Sequence, residues 1–265
     1  MDNTRPRPPL LTPLTIQTRV IHALLMREVI TRFGRKNLGV LWLMGEPMLF
    51  TVGVATLWTV SGLHSGSAIP IVAFAVTGYS SVLMWRNAAS HATGAVDSNK
   101  SLLFHRNVQV IDVLLTRAIL ELGGATASFM ALSLIFIFLG WMPPPTDLLQ
   151  VAFGWIMLAW FGAALGILIG AGTAFSEIVE RIWHPAAYLM FPISGAAFMV
   201  DWLPPGFRSV VLLLPMVHGV EILREGWFGG VVPAHYDVGY MAGCCLVLSL
   251  CALYLQREAR RRLEF

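Results

Sequence analysis

The sequence predicts an all-α polytopic membrane protein with six transmembrane helices, an N-terminal amphipathic interface helix, and two short re-entrant helices between the fifth and sixth spans. Three observations lead there. Hydrophobic residues make up 56% of the chain and charged residues only 12%, with a mean hydropathy of +0.69, about half the charge of a soluble domain. Apolar runs recur that are long enough for the about 20 residues of helix that cross a bilayer. Lysine and arginine gather on alternate connecting segments, as they do in cytoplasmic loops near membrane spans.

Residues 1–37 read as a cytoplasmic N-terminal segment. Within it Leu14, Ile16, Val20, Ile21, Leu24, Leu25, Ile30 and Phe33 alternate with Arg19, Arg27, Glu28 and Arg32 at helical spacing. An apolar stripe with a basic flank suits a helix lying in the membrane interface. A plain positive-inside anchor fits the same pattern, and the sequence leaves both open. No short apolar core with a small-residue cleavage site precedes Arg35, so no cleaved signal peptide is expected.

The six spans are expected over Leu38–Gly62, Ile69–Trp85, Val110–Trp141, Leu148–Phe175, Trp183–Val200 and Val238–Leu255, making 38–256 the transmembrane domain and 257–265 a basic cytoplasmic tail. In the first turns of the third span, Arg117 and Glu121 sit at an i, i+4 spacing, which suits the headgroup region or the cytoplasm. Arginine and lysine fall at positions 5–36, 86–117, 181 and 257–262, whereas the opposite segments hold only Arg208 and Arg224. Both termini are therefore expected in the cytoplasm, as an even number of spans requires.

Asp201 to Asp237 is too apolar for an ordinary outer loop and too interrupted to span. It reads as two short helices, 205–214 and 216–227, broken at Pro215 and ended by Gly229-Gly230. Irregular backbone at membrane depth is tolerated where protein or a water-filled cavity satisfies it. The segment is expected to cap or line a cavity on the outer side.

Motifs for catalysis are missing from the sequence. There is no HExxH, no GxSxG, no Cys/His metal spacing and no GxxxxGK[ST] loop. Cys244, Cys245 and Cys251 share one apolar run and form no disulfide framework. The scattered histidines read as polar interface residues. No metal and no cofactor in this chain are expected, and nucleic acid is not an expected partner.

Glu46, inside the first span and followed by Pro47, is the clearest intramembrane charge. It either faces a translocation path or pairs with a neighbouring helix or the Arg35-Lys36 region. Of the tryptophans, Trp85, Trp141, Trp183 and Trp202 at span ends fit an interfacial belt. Mid-span Trp155, Trp160 and Phe161 fit either a glycan channel, where sugar C–H faces stack on rings, or helix packing.

The stretch from Arg32 to Pro47, RFGRKNLGVLWLMGEP, resembles the entrance motif of ABC-2 superfamily permeases, in particular those exporting capsular polysaccharide. Asn99-Lys100-Ser101-Leu102-Leu103 with Asn107-Val108 and Asp112, and the segment Pro215 to Arg224, are similar to further family segments. Leu214 departs from the asparagine expected before Pro215. The resemblance covers nearly the whole chain. It implies a homodimer forming one channel in the inner membrane, driven by a separate cytoplasmic ABC ATPase that binds ATP and Mg²⁺. The chain itself would be no enzyme.

The resemblance further implies a lipid-linked, acidic polysaccharide as substrate, with a periplasmic export co-polymerase and an outer-membrane channel as further partners. Arg27, Arg32, Arg35 and Lys36 would form the substrate entrance. Asn99, Lys100 and Arg106 would contact the ATPase. Pro215, His218, Glu221 and Arg224 would form the outer gate. An O-antigen or teichoic-acid-type permease is the alternative, followed by a drug or lipid exporter and, from another class, a membrane-bound enzyme.

Overall fold

The computed structural model describes residues 11–33, 38–62, 69–103 and 108–263, and among them the chain is all-helical. The helices are α1 (Leu11–Phe33), α2 (Leu38–Ser61), α3 (Ile71–Ser90), the short α4 (Ala95–Ser98) and α5 (Lys100–Leu103), α6 (Val110–Phe138), α7 (Leu148–Thr173), α8 (Glu177–Ile193), α9 (Pro205–Val211), α10 (Pro215–Phe228) and α11 (Val238–Leu263). A 3₁₀ turn covers Val200–Trp202.

Three helices among the described residues are long and apolar enough to cross a membrane: Val110–Phe138, Leu148–Thr173 and Val238–Arg262. At 1.5 Å per residue α6 runs about 43 Å, which exceeds the roughly 30 Å hydrocarbon core. The bent pair α9 and α10, meeting at 106°, passes the same test jointly. Each of the six expected spans coincides with a helix, but α2, α3 and α8 do not meet that standard as described. α3 carries Thr77, Ser80, Ser81, Arg86 and Asn87, and the first turn of α8 carries Glu177 and Glu180.

The fifth expected span is corrected most. Instead of 183–200, the helix covers Glu177–Ile193. It starts early because the Ser176 hydroxyl accepts the Ile178 N–H at 3.2 Å and two glutamates in the first turn complement the helix dipole. It stops at Ile193 because Gly195 takes a left-handed conformation (φ 83°), which suits the position just past a helix end. The sixth helix runs beyond Leu255 to Leu263, so the basic tail continues α11.

α7 is the spine of the molecule, touching α3, α4, α6, α8, α10 and α11. Apolar side chains gain little from leaving lipid for protein, so membrane helices associate through close packing that small residues permit. Gly162, Gly166 and Gly170 recur every four residues and admit α3 and the turn after it. A Cβ on Gly166 would stand 2.9 Å from the Ala88 carbonyl oxygen, and one on Gly170 would stand 2.9 Å from that of Ala92. Gly154 admits α10 on another side, where a Cβ would meet the Leu223 nitrogen at 2.7 Å.

Around this spine the main core gathers Phe74, Trp85, Phe129, Trp155, Leu158, Met216, Leu223 and Trp227. A second cluster, including Leu24, Val96, Val113, Leu114 and Ile167, fills the end that carries α1, α4 and the start of α6. That end is the basic one. The opposite end carries the 3₁₀ turn, α9 and α10.

Gly166→Ala should lower the thermal unfolding midpoint in detergent, by an amount corresponding to about 1–3 kcal/mol of overpacking. Gly123→Ala on α6, where a Cβ meets nothing within 4 Å, should leave the midpoint unchanged or raise it. Equal effects from both would show that the α3–α7 approach is not set by this glycine.

Candidate functional site

The end opposite α1 holds a dense polar network inside an apolar fold. It is built on α10, which begins with Pro215 at its first position, where a missing N–H removes no bond, and ends at Gly229 in left-handed geometry (φ 62°). α10 lies against α7 across Gly154 and Gly226; a Cβ on Gly226 would stand 2.7 Å from the Val151 nitrogen. This places one face of α10 beneath the turn that follows α8.

Arg224 is fully buried on that face. Its Nη1 donates to the carbonyls of Gly195 at 2.6 Å and Phe198 at 2.7 Å, and its Nη2 donates to Ala196 at 2.6 Å and Phe74 at 3.3 Å. The guanidinium carbon lies 3.8 Å from the centroid of the Phe74 ring. A planar fork with several donors serves such a cluster of carbonyls better than a point charge. Gly78 on α3 makes room, since a Cβ there would approach both Nη2 and the Ala196 oxygen to 2.4 Å.

One turn earlier on α10, Glu221 is also fully buried. Its carboxylate accepts the backbone N–H of Val200 at 3.2 Å and that of His235 at 3.1 Å. His218 lies nearby with its ring nearly enclosed. Its Nδ1 accepts the Asp237 N–H at 2.9 Å, which leaves Nε2 to donate to the Leu212 carbonyl at 2.8 Å. All three side chains therefore bind main chain rather than one another.

A more exposed layer surrounds them. Asp201 Oδ1 receives Arg208 at 3.3 Å and His235 Nε2 at 3.0 Å. Glu225 receives the Gln150 amide and the Tyr236 hydroxyl. That hydrogen bond, joined by partial burial, holds the Tyr236 phenol above its usual pKa, so it stays a donor. Thr146, Asp147, Gln150, Glu225, Gly229, Gly230 and Tyr236 line a polar cavity of about 500 Å³ at this surface.

The structure thus brings the expected gate residues His218, Glu221 and Arg224 together, with Pro215 opening the same helix. Of the mid-span aromatics that fit either a channel or helix packing, two are buried in the packing of this chain. Trp155 stacks on Phe129 with centroids 4.2 Å apart and donates to Thr126 Oγ1 at 3.0 Å, and Phe161 meets Trp85 edge-on; both are buried between helices of this chain. Trp160 donates to Ser249 Oγ of α11 at 3.0 Å. Trp85 and Trp183, expected in an interfacial belt, are buried as well, Trp183 donating to Ser90 Oγ at 3.0 Å.

At the basic end, Arg27 donates to Asn99 Oδ1 at 2.7 Å, so one expected entrance residue binds one expected coupling residue. Lys100 pairs with Asp97 at 2.7 Å on the surface. Asp112 accepts the Gln109 N–H at 2.9 Å, capping α6, and its other oxygen accepts Gln17 of α1 at 2.9 Å. Arg35, Lys36 and Arg106 lie outside the described residues, as do the side chains of Arg32 in α1 and Glu46 in α2.

Sequence reasoning missed the partners of this basic end: Glu28 pairs with Arg117 at 2.8 Å, and Glu121 meets His91 at 3.0 Å. It also missed the α7 glycines, although their four-residue spacing was visible.

Residues 19–228 match the ABC-2 type transporter family. The chain is 42% identical to the capsule polysaccharide export inner-membrane protein CtrC of Neisseria meningitidis serogroup A, over 92% of each chain. It is 39% identical to the protein of the same description, BexB, of Haemophilus influenzae over 95% of each chain. It is 27% identical to the polysialic acid transport protein KpsM of Escherichia coli, over 91% of this chain and 94% of that one.

Arg224→Lys should keep the charge but leave carbonyls at the end of α8 without donors, lowering stability by about 3 kcal/mol. Gly78→Ala should displace the same guanidinium. In both variants a cysteine placed at exposed Val210 should react faster with a polar maleimide, and unchanged labelling would remove Arg224 as the anchor of α9 and α10.

Proposed function

Because the chain belongs to the ABC-2 type transporter family, we propose that it is the membrane-spanning permease subunit of an ATP-driven exporter of capsular polysaccharide in an inner membrane. It is a transport subunit and not an enzyme. The observation that carries this reading is likeness over more than nine-tenths of the chain to proteins named for capsule polysaccharide export and, in one case, polysialic acid transport. The low charge and long apolar helices agree with it.

On this reading α2, α3, α6, α7, α8 and α11 are six spans, with both termini cytoplasmic. The N-terminal 1–37 segment carries the interface helix α1, and 257–265 is the cytoplasmic end of α11. α9 and α10 form a re-entrant outer gate, and two copies of the chain enclose one channel. A separate cytoplasmic ATPase binds ATP and Mg²⁺ and docks on the segment bearing Asn99, Lys100 and Arg106.

The substrate is an acidic, lipid-linked glycan drawn to the basic entrance of Arg32, Arg35 and Lys36, where each cation near an anionic surface contributes about 1 kcal/mol. That one relative is named for polysialic acid supports an acidic chain. Glu46, Trp155, Trp160 and Phe161 are the side chains of the spans to test against it. A periplasmic co-polymerase and an outer-membrane channel would carry the glycan onward.

The purified chain should bring down an ATP-binding subunit whose hydrolysis rises with lipid-linked capsular polysaccharide. No ATPase partner, or turnover by the chain alone, would overturn the reading. Arg32→Ala with Arg35→Ala should lower export while leaving assembly intact, and unchanged export would remove these residues from substrate recruitment.

A further inference from the structure

The connector that follows α3 is held at two points by side chains from two other helices. At its start His91, the C-cap residue of α3, has Nδ1 3.0 Å from Glu121 of α6. Farther along, Asn99 accepts Arg27 of α1 at 2.7 Å and donates its own amide to the Ala95 carbonyl at 2.9 Å, closing α4. Between these points Ala95 and Val96 are buried, and Ala92 lies against Gly170 of α7.

The remaining sides of the figure are closed by α1 and α6. Glu28, the neighbour of Arg27, pairs with Arg117 at 2.8 Å, and only 11% and 13% of the two side chains are exposed. Arg117 and Glu121 lie one turn apart on α6. The contacts therefore run in a ring from α1 to the connector, back along it to the end of α3, across to α6, and home to α1. Gln17 on Asp112 adds a second link between α1 and α6.

A helix that merely anchors the chain in the interface keeps its charges in water or among headgroups. Here Glu28 leaves water to engage Arg117 of α6, and Arg27, itself exposed, reaches Asn99 of the connector. Among its described residues the connector exposes its tip, Asp97, Ser98, Lys100 and Ser101.

We infer that α1 is a moving part of the coupling apparatus: Arg27 on Asn99 and Glu28 on Arg117 make α1, the connector and the start of α6 one body, so that a push on the exposed tip carries α1 with it. Glu28 and Arg117 are positioning residues in this device, neither of them at the docking tip. Breaking the Glu28–Arg117 pair disrupts a largely buried ion pair, and breaking the Arg27–Asn99 bond lets the connector move without α1. The inference rests on the permease reading, since it needs a partner that pushes.

The test uses the chain together with its ATP-binding partner in proteoliposomes, reading glycan exported per ATP hydrolysed. Glu28→Arg and Arg117→Glu alone should each keep hydrolysis while lowering that ratio about tenfold, as loss of a coupled pair does. The two together should restore it. A ratio that stays constant in the single variants, or is not restored by the exchange, overturns the inference.

A crosslink separates coupling from folding. With Cys244, Cys245 and Cys251 replaced by serine, Arg27→Cys with Asn99→Cys should be uncoupled until bridged and recoupled afterwards; a bridge that blocks export shows relative motion and also overturns it. Absence of ATP-driven export by the unsubstituted protein would overturn the permease reading itself, and this inference with it.

Discussion

The arrangement of the segment from the end of α8 to α10 depends on one buried cation. A guanidinium without solvent is tolerated only when its donors are met, because an unmet buried charge is far costlier than an unmet neutral group. Arg224 largely meets that condition: Nη1 and Nη2 reach main-chain carbonyls after α8 and one of α3, and the guanidinium lies on the face of Phe74, while its Nε–H has no acceptor among the described residues. The carbonyls of Gly195, Ala196 and Phe198 belong to the irregular turn after α8, where backbone acceptors lack helical partners, and that of Phe74 lies in the first turn of α3. Each side thus solves the other's problem. The turn after α8 takes its shape from Arg224, and α10 is held at a depth where a cation would otherwise not remain.

The same logic explains why the two ends of the molecule are built differently. At the end opposite α1 the buried polar side chains grip backbone: Glu221 takes two N–H groups and His218 takes one N–H and one carbonyl. Such bonds fix the course of irregular chain, which membrane burial demands. At the basic end the polar side chains grip one another, Arg27 with Asn99 and Glu28 with Arg117, between elements that are already helical. Bonds of that kind set how finished helices sit relative to each other. The first pattern specifies a shape, and the second joins parts.

How much of this was legible in the sequence follows from the same distinction. Hydropathy placed helices over all six apolar runs, and Pro215 with Gly229 marked both ends of α10, because those signals are local. The fifth span was misplaced because its start is set by the Ser176 cap and its end by Gly195 and a distant arginine, and hydropathy weighs neither. Arg224 could be singled out by family resemblance, but its carbonyl partners are backbone atoms that leave no trace in residue type. Trp155 and Phe161 looked equally suited to a channel or to packing, since an aromatic ring in an apolar run reads the same either way. Only their neighbours Phe129 and Trp85 tell the two apart.

α3 belongs to both polar networks. Near its start, Phe74 and Gly78 meet Arg224; at its end, His91 meets Glu121. Between them the helix lies so close to α7 that a Cβ would stand 2.9 Å from the Ala88 carbonyl oxygen at Gly166 and 3.1 Å from the Trp85 Cα at Gly162. Interiors packed this closely respond by moving as units rather than by deforming. On the permease reading, a displacement of the connector therefore cannot be absorbed within α3. It must either shift α3 along the glycine face of α7, which carries Phe74 and Gly78 past the guanidinium, or move α3 and α7 together, which carries α10 with them through Gly154. Both routes end at Arg224. The buried cation that shapes the turn after α8 thus stands where α3 and α10 meet.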